Sequence, residues 1–181
     1  MQGHDTRVAS LIEEARRELA VLSSDTLGTQ KFLGQFARTG LSWAERRHLR
    51  DLIESTSLPC MVIDPRPGLR IVDVNDALAA AAMSQRYRIA GDKLFDAFPD
   101  NPDLVGSDGV SNLYASLRTA TQKGRVDTMA VQRYDVRDPS GRFVERHWRP
   151  TNTPVFDHSG RLIYLLHHVE PVSGNPPSAV I

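Results

Sequence analysis

The sequence has little cysteine, no net charge and no long apolar stretch, and each shortage excludes a class of protein. Its 181 residues include one cysteine, Cys60, so no internal disulfide and no cysteine-based metal framework can form. Lysine plus arginine and aspartate plus glutamate both number 22, whereas binding to nucleic-acid phosphates normally needs a positive surplus. No apolar run approaches the roughly 20 residues that cross a bilayer, and residues 1–19 lack the apolar core of a signal peptide. We therefore expect a cytoplasmic protein that binds neither membranes nor nucleic acid.

The first 55 residues are predicted to be helical. Apolar residues spaced four and three apart form a two-heptad seam on the first helix, namely Val8, Ile12, Ala15, Leu19 and Leu22. This seam either packs on the protein's own domain or joins two chains in a homodimer, and the sequence leaves both interpretations open. A second helix is predicted over 27–38. A third begins at the capping box of Ser42 and Glu45 and continues to about residue 55.

The hydrophobic period changes after Pro59 to that of strands and short helices. Two strands are predicted first, then short helices up to residue 98, a longer helix and three final strands. The predicted strands are 60–63, 69–74, 126–136, 143–156 and 161–172, and the long helix is 109–123. Ser107 or Asp108 is expected to cap the long helix. This order predicts an α+β domain with a five-stranded antiparallel sheet and helices on one face.

Several segments in this order resemble the PAS domain family. The first strand pair ends in Val74-Asn75-Asp76-Ala77, and the last hairpin spans residues 152–161. Residues 94–102, 127–136 and 148–154 resemble the PAS subgroup of bacterial sensor histidine kinases. The resemblance implies a PAS fold whose pocket binds a small ligand or whose surface pairs with another domain. It divides the chain into a helical extension (1–55), a PAS domain (56–172) and a flexible tail (173–181).

The cofactor chemistry known in this family finds little support in the sequence. A photoactive flavin needs a cysteine in the helical region, whereas Cys60 lies on the first predicted strand. Haem sensors of the family usually take a histidine from the long helix, which has none. His147 and either His167 or His168 could face the pocket from the sheet, although core or surface roles are commoner for such residues. We therefore expect no haem, no flavin and, because adjacent strand residues point to opposite faces, no metal site at His167 and His168.

An apolar pocket is the site that the family's layout favours. Strand alternation and that layout place these apolar residues in its lining: Met61, Ile63, Leu94, Phe98, Leu113, Leu117, Met129, Val131 and Leu165. Asn112 and Tyr114 could add polar contacts. The alternative is that the same residues only fill a packed core, because one sequence does not separate a cavity from a core.

The family's usual output helix is not predicted at the end of the last strand. Glu170-Pro171-Val172 stands where the family has an Asp-Ile-Thr-like triplet, and Pro171 disfavours a helix. We therefore expect a non-enzymatic bacterial sensor in signal transduction. It would act in trans, as a homodimer, on a two-component system protein such as a histidine kinase or on another regulator. The alternatives are a DNA-binding regulator, for which residues 43–50 are locally basic, and an enzyme, which would need a buried carboxylate or histidine in the pocket.

Overall fold

The computed structural model describes residues 43–172, and all contacts given below belong to that part of the chain. The predicted seam at Val8, Ile12, Ala15, Leu19 and Leu22, the helix over 27–38 and the tail over 173–181 lie outside the described residues. The helices are α1 (Trp43–Glu54), α2 (Asp76–Ala81), α3 (Arg86–Ile89), α4 (Leu94–Ala97) and α5 (Gly109–Lys123). The strands are β1 (Cys60–Ile63), β2 (Ile71–Val74), β3 (Asp127–Thr128), β4 (Gln132–Arg133), β5 (Val136–Arg137), β6 (Phe143–Val144), β7 (His147–Phe156) and β8 (Leu162–Pro171). None of these helices is long and apolar enough to cross a membrane.

One antiparallel sheet organises the described chain. Its strand order is β2-β1-β8-β7-β3, and β4 also pairs with β7. Because β3 and β4 pair with different parts of β7, the sheet has five positions. The longest ladder joins β7 to β8, from the pair Trp148–Pro171 to the pair Phe156–Leu162. The predicted α+β class with an antiparallel sheet is therefore confirmed, and the five predicted strands correspond to six strands in five positions.

The strand predicted over 126–136 forms three short pieces instead of one continuous strand. Met129 N–H donates to the carbonyl of Pro150 at 2.9 Å between β3 and β4, but proline has no N–H with which to return a bond. Between β4 and β5, the buried Asp135 accepts bonds from the Arg133 and Asn101 side chains. These contacts divide the ladder, and β5 pairs with β6 as a separate two-stranded extension.

The β5–β6 and β7–β8 hairpins use the same five-residue turn, Asp-X-Ser-Gly-Arg. In the β7–β8 turn, Asp157 Oδ1 accepts bonds from the N–H and hydroxyl of Ser159 and from the N–H of Arg161. The turn over residues 138–142 repeats these bonds. Gly160 has a φ of +79°, which L-residues rarely adopt. The sequence identifies both turns because the aspartate, the serine and the glycine each have a defined role in them.

The two faces of the sheet are covered by different helices. Met61 and Leu165 point inward to the main core, together with apolar side chains of α2, α4 and α5. Cys60 and Val62, the alternate residues of β1, point outward and pack with Ile53 of α1. Ile53 is 1% exposed, and burying a side chain of this size contributes about 2 kcal/mol. α1 is thus packed on the side of the sheet opposite to the other helices.

Asn75 connects the end of α1 to the rest of the domain. Its side chain is fully buried. Its Oδ1 accepts the N–H of Cys60 and the N–H of Leu78, both at 2.9 Å, and so caps α2. Its Nδ2 donates to the carbonyls of Ile53 at 3.0 Å and Leu58 at 2.8 Å. One amide therefore fixes α1, β1 and α2 relative to one another.

An ionic network makes a second connection to α1. The Arg86 guanidinium of α3 donates two bonds of 2.7 Å to the Asp73 carboxylate of β2. The same guanidinium lies 3.3 Å from Glu54 Oε1, and Arg50 Nε lies 3.8 Å from Asp73 Oδ2. Because both α1 partners are partly exposed, we expect this network to contribute less than Asn75.

Candidate ligand cavity between the helices and the sheet

A cavity of about 60 Å³ lies between the inner face of the sheet and the helices α2, α4 and α5. Most of the groups that line it are apolar. Its lining consists of Met61, Leu78, Ala81, Ala82, Leu94, Phe98, Gly109, Leu113, Met129, Gln132, Tyr134, Val136, Trp148, Pro150, His167 and Val169. Small-molecule sites in proteins have this character, a mainly apolar surface with few polar groups, but usually with a volume of several hundred Å³.

A chain of buried hydrogen bonds leads away from the cavity at His167. The Nδ1 atom of His167 lies 2.7 Å from Asn152 Oδ1 on the neighbouring strand. Asn152 Nδ2 donates to Ser116 Oγ of α5 at 2.8 Å. Ser116 Oγ donates in turn to Asp127 Oδ2 of β3 by a short bond. The chain joins three elements that enclose one side of the cavity, β8, β7 and α5, to the strand at the sheet edge.

The Asp127 carboxylate determines the direction of every bond in this chain. A carboxylate only accepts, so the Ser116 hydroxyl must donate to it and must itself accept from the Asn152 amide. The Asn152 oxygen then faces His167, and Nδ1 must carry the imidazole proton. Burial, with a smaller contribution from His168, lowers the pKa of His167 to about 4, which keeps the ring neutral at pH 7. Neutral His167 therefore has a hydrogen at Nδ1 and a bare lone pair at Nε2.

The start of α5 closes the cavity through Tyr134. The Tyr134 hydroxyl donates to the carbonyl of Phe98 at 2.6 Å, and its ring packs against Gly109. A Cβ atom at Gly109 would lie 2.5 Å from the ring. The helix is capped by Asp100, whose Oδ1 accepts the N–H of Val110 at 3.0 Å. Burial and the nearby charge of Asp100 raise the pKa of Tyr134, so it is a hydrogen-bond donor at neutral pH.

The prediction that Ser107 or Asp108 caps α5 was wrong. Asp108 occupies the cap position but makes no side-chain bond to the helix. The Ser107 hydroxyl donates to Asp100 Oδ1 at 3.3 Å and thereby supports the carboxylate that does cap the helix. The cap comes from a loop residue nine positions before the helix begins, which a local sequence pattern does not reveal.

The structure brings part of the predicted pocket together. Met61, Leu94, Phe98, Leu113 and Met129 line the cavity, while Ile63, Leu117 and Leu165 lie buried in the core without lining it. Tyr114, Asn112 and Val131 are placed elsewhere. Tyr114 is 52% exposed and contacts Phe95, because one residue beyond Leu113 the helix has turned by about 100°. Asn112 donates to Gln132 Oε1 at 2.8 Å, and Val131 lies half-buried in the break between β3 and β4.

Strand alternation could have identified more of the lining. On β8 the inward residues are Leu165, His167 and Val169, and His168 lies on the outer face. His167 is thus the histidine of this strand that faces the cavity. On β7, Trp148 and Pro150 line the cavity in the same alternating register. The lining residues that the sequence did not predict are Leu78, Ala81, Ala82, Gly109, Gln132, Tyr134, Val136, Trp148, Pro150 and Val169.

The cysteine lies outside the cavity. Cys60 is 2% exposed and packs with the outer-face cluster next to α1. Burial, with a smaller contribution from the Glu54 charge, raises the pKa of its thiol to about 11, so it is a poor nucleophile. Among the described residues, no group of three or more histidine, cysteine, aspartate or glutamate side chains is arranged to hold a metal ion.

Comparisons with known proteins show the fold. A comparison with protein-family models gave no match, and neither did one with curated proteins. Among solved structures, the LOV protein of Rhodobacter sphaeroides matches with a TM-score of 0.54 at 13% identity, over 77% of this chain and 71% of that one. A PAS domain from Colwellia psychrerythraea matches with a TM-score of 0.51 at 10% identity, over 70% and 96% of the two chains. This chain has a PAS fold.

Another matching structure is a light-oxygen-voltage domain whose mechanism was examined with a flavin analogue. Its TM-score is 0.50 at 14% identity, over 70% of this chain and 85% of that one. This likeness gives no support to the expectation that this PAS fold lacks flavin, which stays a prediction. The geometry bears on the question independently. A cavity of about 60 Å³ would have to widen for a flavin or a haem, and no cysteine lies on the helices of residues 43–172.

Proposed function

We propose that this protein is a sensory PAS module in which a small molecule enters the cavity and changes the position or stability of α1. The observation that carries the proposal is the path from the cavity to α1 through Asn75. Leu78 and Met61 line the cavity. Asn75 bonds to the N–H of Leu78 and to the N–H of Cys60, the neighbour of Met61, and it also bonds to the end of α1 at Ile53.

This path is short enough to transmit a displacement of the cavity wall. Oδ1 and Nδ2 of Asn75 belong to one planar amide, so movement of α2 or β1 changes the bonds of that amide to the last turn of α1. Because the amide is fully buried, a lost bond is not replaced by water and costs about 1–3 kcal/mol. A ligand that moves Leu78 therefore has a direct energetic effect on the attachment of α1.

A route into the cavity would lead past Phe98. Ala82, Phe98 and Val136 line both the cavity and an open surface cleft of about 720 Å³ between α3, α4 and the β5–β6 hairpin. Phe98 is only half-buried. Rotation of this one side chain would join the two spaces, admit a ligand and enlarge the volume that the ligand can occupy.

Native mass spectrometry and hydrogen exchange of the full-length chain test this function. We expect a retained or added small molecule to give a mass increase that disappears on denaturation, and to change the exchange rate of the α1 amides. Leu113→Trp should fill the cavity and abolish both effects. Tyr114→Trp, one residue further along on the exposed face, should abolish neither. Ligand binding with unchanged α1 exchange, or equal binding by both variants, would count against the proposal.

We also propose that the output is recognised by another protein. Leu52 is a large apolar residue of α1 that is 49% exposed, so it is a position at which a contact between α1 and another protein can be tested. The partner that the sequence resemblance favours is a histidine kinase or another two-component regulator, on which this protein would act in trans as a cytoplasmic homodimer. Crosslinking in cells at Leu52, followed by identification of the adducts, tests this. Recovery of the homodimer alone would contradict action in trans.

An enzyme is the second candidate function, because His167 is a buried histidine in the pocket. Two features weaken it. With a pKa near 4, His167 is a weak base at pH 7. No carboxylate, serine or cysteine lines the cavity within the described residues. Turnover that is lost in a His167→Asn variant and kept in His168→Asn would favour the enzyme over the sensor.

A further inference from the structure

The hydrogen-bond chain ends at an atom without a protein partner. His167 is 4% exposed, and its Nδ1 is bonded to Asn152. Within residues 43–172, no protein group forms a hydrogen bond with the other ring nitrogen, Nε2. A buried acceptor without a partner destabilises the folded state, and a bound water or ligand is one of the few explanations for such a group in a native protein. Because His167 lines the cavity, we infer that Nε2 faces that space.

The other polar side chains that line the cavity already form hydrogen bonds within the protein. The Tyr134 hydroxyl donates to the carbonyl of Phe98. Gln132 Oε1 accepts from Asn112, and its Nε2 donates to the carbonyls of Ala130 and Val131. The Trp148 indole N–H donates to the carbonyl of Tyr134. Among the nitrogen and oxygen atoms of the lining side chains in residues 43–172, His167 Nε2 is therefore the one without a hydrogen bond, and it is an acceptor.

We propose that His167 Nε2 determines which molecules the cavity accepts: small neutral compounds with an apolar body and one N–H or O–H donor. This inference rests on the proposed function, since it requires that the cavity takes a ligand. Compounds with only acceptor groups would place a lone pair against the Nε2 lone pair. To form a hydrogen bond with them, the ring would need its proton on Nε2, and Asn152 and Ser116 would have to reverse their bonds, leaving the Asp127 carboxylate without its donor. Anions would meet the same lone pair in an apolar space.

Pyrrole and furan provide a matched pair of probes for this inference. The two rings are nearly the same size, but pyrrole has an N–H donor and furan has only an acceptor. The methyl groups of Met61 and Met129 line the cavity and report binding by NMR, while Met83 lines the outer cleft and serves as the control. We expect both rings to shift the two cavity methyls, with a Kd for pyrrole about fivefold lower, as one net hydrogen bond predicts.

The possible results separate this inference from the proposed function. Equal Kd values for the two rings would overturn the role of Nε2 and leave a ligand-binding cavity. Shifts at neither Met61 nor Met129, even near saturation of the solution, would overturn both ideas. Shifts at Met83 alone would place the binding site in the outer cleft and would also overturn the role of Nε2.

Two further measurements do not depend on the probes. Nitrogen-15 NMR of the imidazole at pH 7 should show His167 protonated at Nδ1 and bare at Nε2, and the opposite tautomer would overturn the inference. His167→Asn keeps a donor for Asn152 but removes Nε2, so it should eliminate the advantage of pyrrole over furan. His168→Asn, on the other face of the strand, should retain that advantage in full. Loss of it in both variants would contradict a specific role for His167.

Discussion

Lowering the pH from 7 to 5 is expected to destabilise this fold through His167. Burial lowers the pKa of its imidazole to about 4 from the ordinary value of 6.5. Between these values the unfolded chain binds a proton that the folded chain does not bind, so the free energy of unfolding falls as the pH falls. The decrease amounts to about 2 kcal/mol at pH 5 and roughly 3 kcal/mol at pH 4. Above pH 6.5 the stability is not reduced by this group.

Hairpin carboxylates do not contribute in this pH range. The hydroxyls of Ser140 and Ser159 donate to Asp138 and Asp157, and hydrogen bonding lowers the pKa of both carboxyl groups to about 2 from 3.8. Their stabilising effect is fully present above pH 4 and is lost only as the pH falls towards 2. The interval from pH 7 to 5 therefore isolates the effect of the buried imidazole from the acid effects of these two turns.

Urea unfolding, followed by circular dichroism at pH 7, 6 and 5, measures this effect. His167→Asn retains a donor to Asn152 but has no titrating group, and His168→Asn is the matched control on the same strand. We expect the wild type and the control to lose about 2 kcal/mol more than His167→Asn between pH 7 and pH 5. The same loss in all three proteins would refute the claim that His167 is buried in its neutral form.

Three further predictions concern contacts around the cavity and α1. Gly109→Ala should cost about 2 kcal/mol because the new methyl meets the Tyr134 ring. Urea unfolding should show that Gly109→Ala no longer has this cost in a protein that also carries Tyr134→Leu. The same cost in that background would contradict a clash with the Tyr134 ring. Asn75→Ala should lower the free energy of unfolding by about 3 kcal/mol or more and accelerate hydrogen exchange in α1. The control Asn112→Ala loses one half-buried bond and should cost less than about 1 kcal/mol. Similar effects of the two variants would argue against Asn75 as the link to α1. Asp157→Asn should flatten the acid unfolding curve between pH 4 and pH 2, and an unchanged curve would contradict the lowered pKa.

Much of the fold could be predicted from the sequence because the signals are local. The strand β1 is a short apolar run before a turn, and α5 has a helical period that ends at Gly124, whose φ is +60°. The turns of the β5–β6 and β7–β8 hairpins are each determined by the five residues that form them. The breaks at β3–β5 were not predicted because they depend on a distant partner, Pro150, and on the side-chain bonds of Asp135. The Met129–Pro150 and Asn101–Asp135 bonds join residues that are far apart in sequence.

The cavity was harder to predict for the same reason. Alternation determines which strand residues face inward but does not separate those that line a space from those that fill the core, such as Leu165. The sequence also does not show whether a polar side chain already has a hydrogen-bond partner within the protein. Asn112 was expected to contact a ligand but bonds to Gln132, and the bond between His167 and Asn152 depends on the register of β8 against β7. Only the three-dimensional structure shows which polar side chains have their hydrogen bonds satisfied.

The arrangement of buried amides indicates which part of the protein responds to a ligand first. Asn152 and Asn75 are both fully buried, but they connect different elements of the fold. Asn152 lies within the longest ladder of the sheet, where backbone bonds on both sides resist displacement. Asn75 joins α1 to the domain, and within residues 43–172 the outer-face cluster around Ile53 and a partly exposed ionic network also hold α1. Segments with few buried contacts open at lower free energy than the core. A disturbance that reaches both amides should therefore leave the sheet intact and loosen α1, which makes the helix, rather than the sheet, the element through which binding would become visible to another molecule.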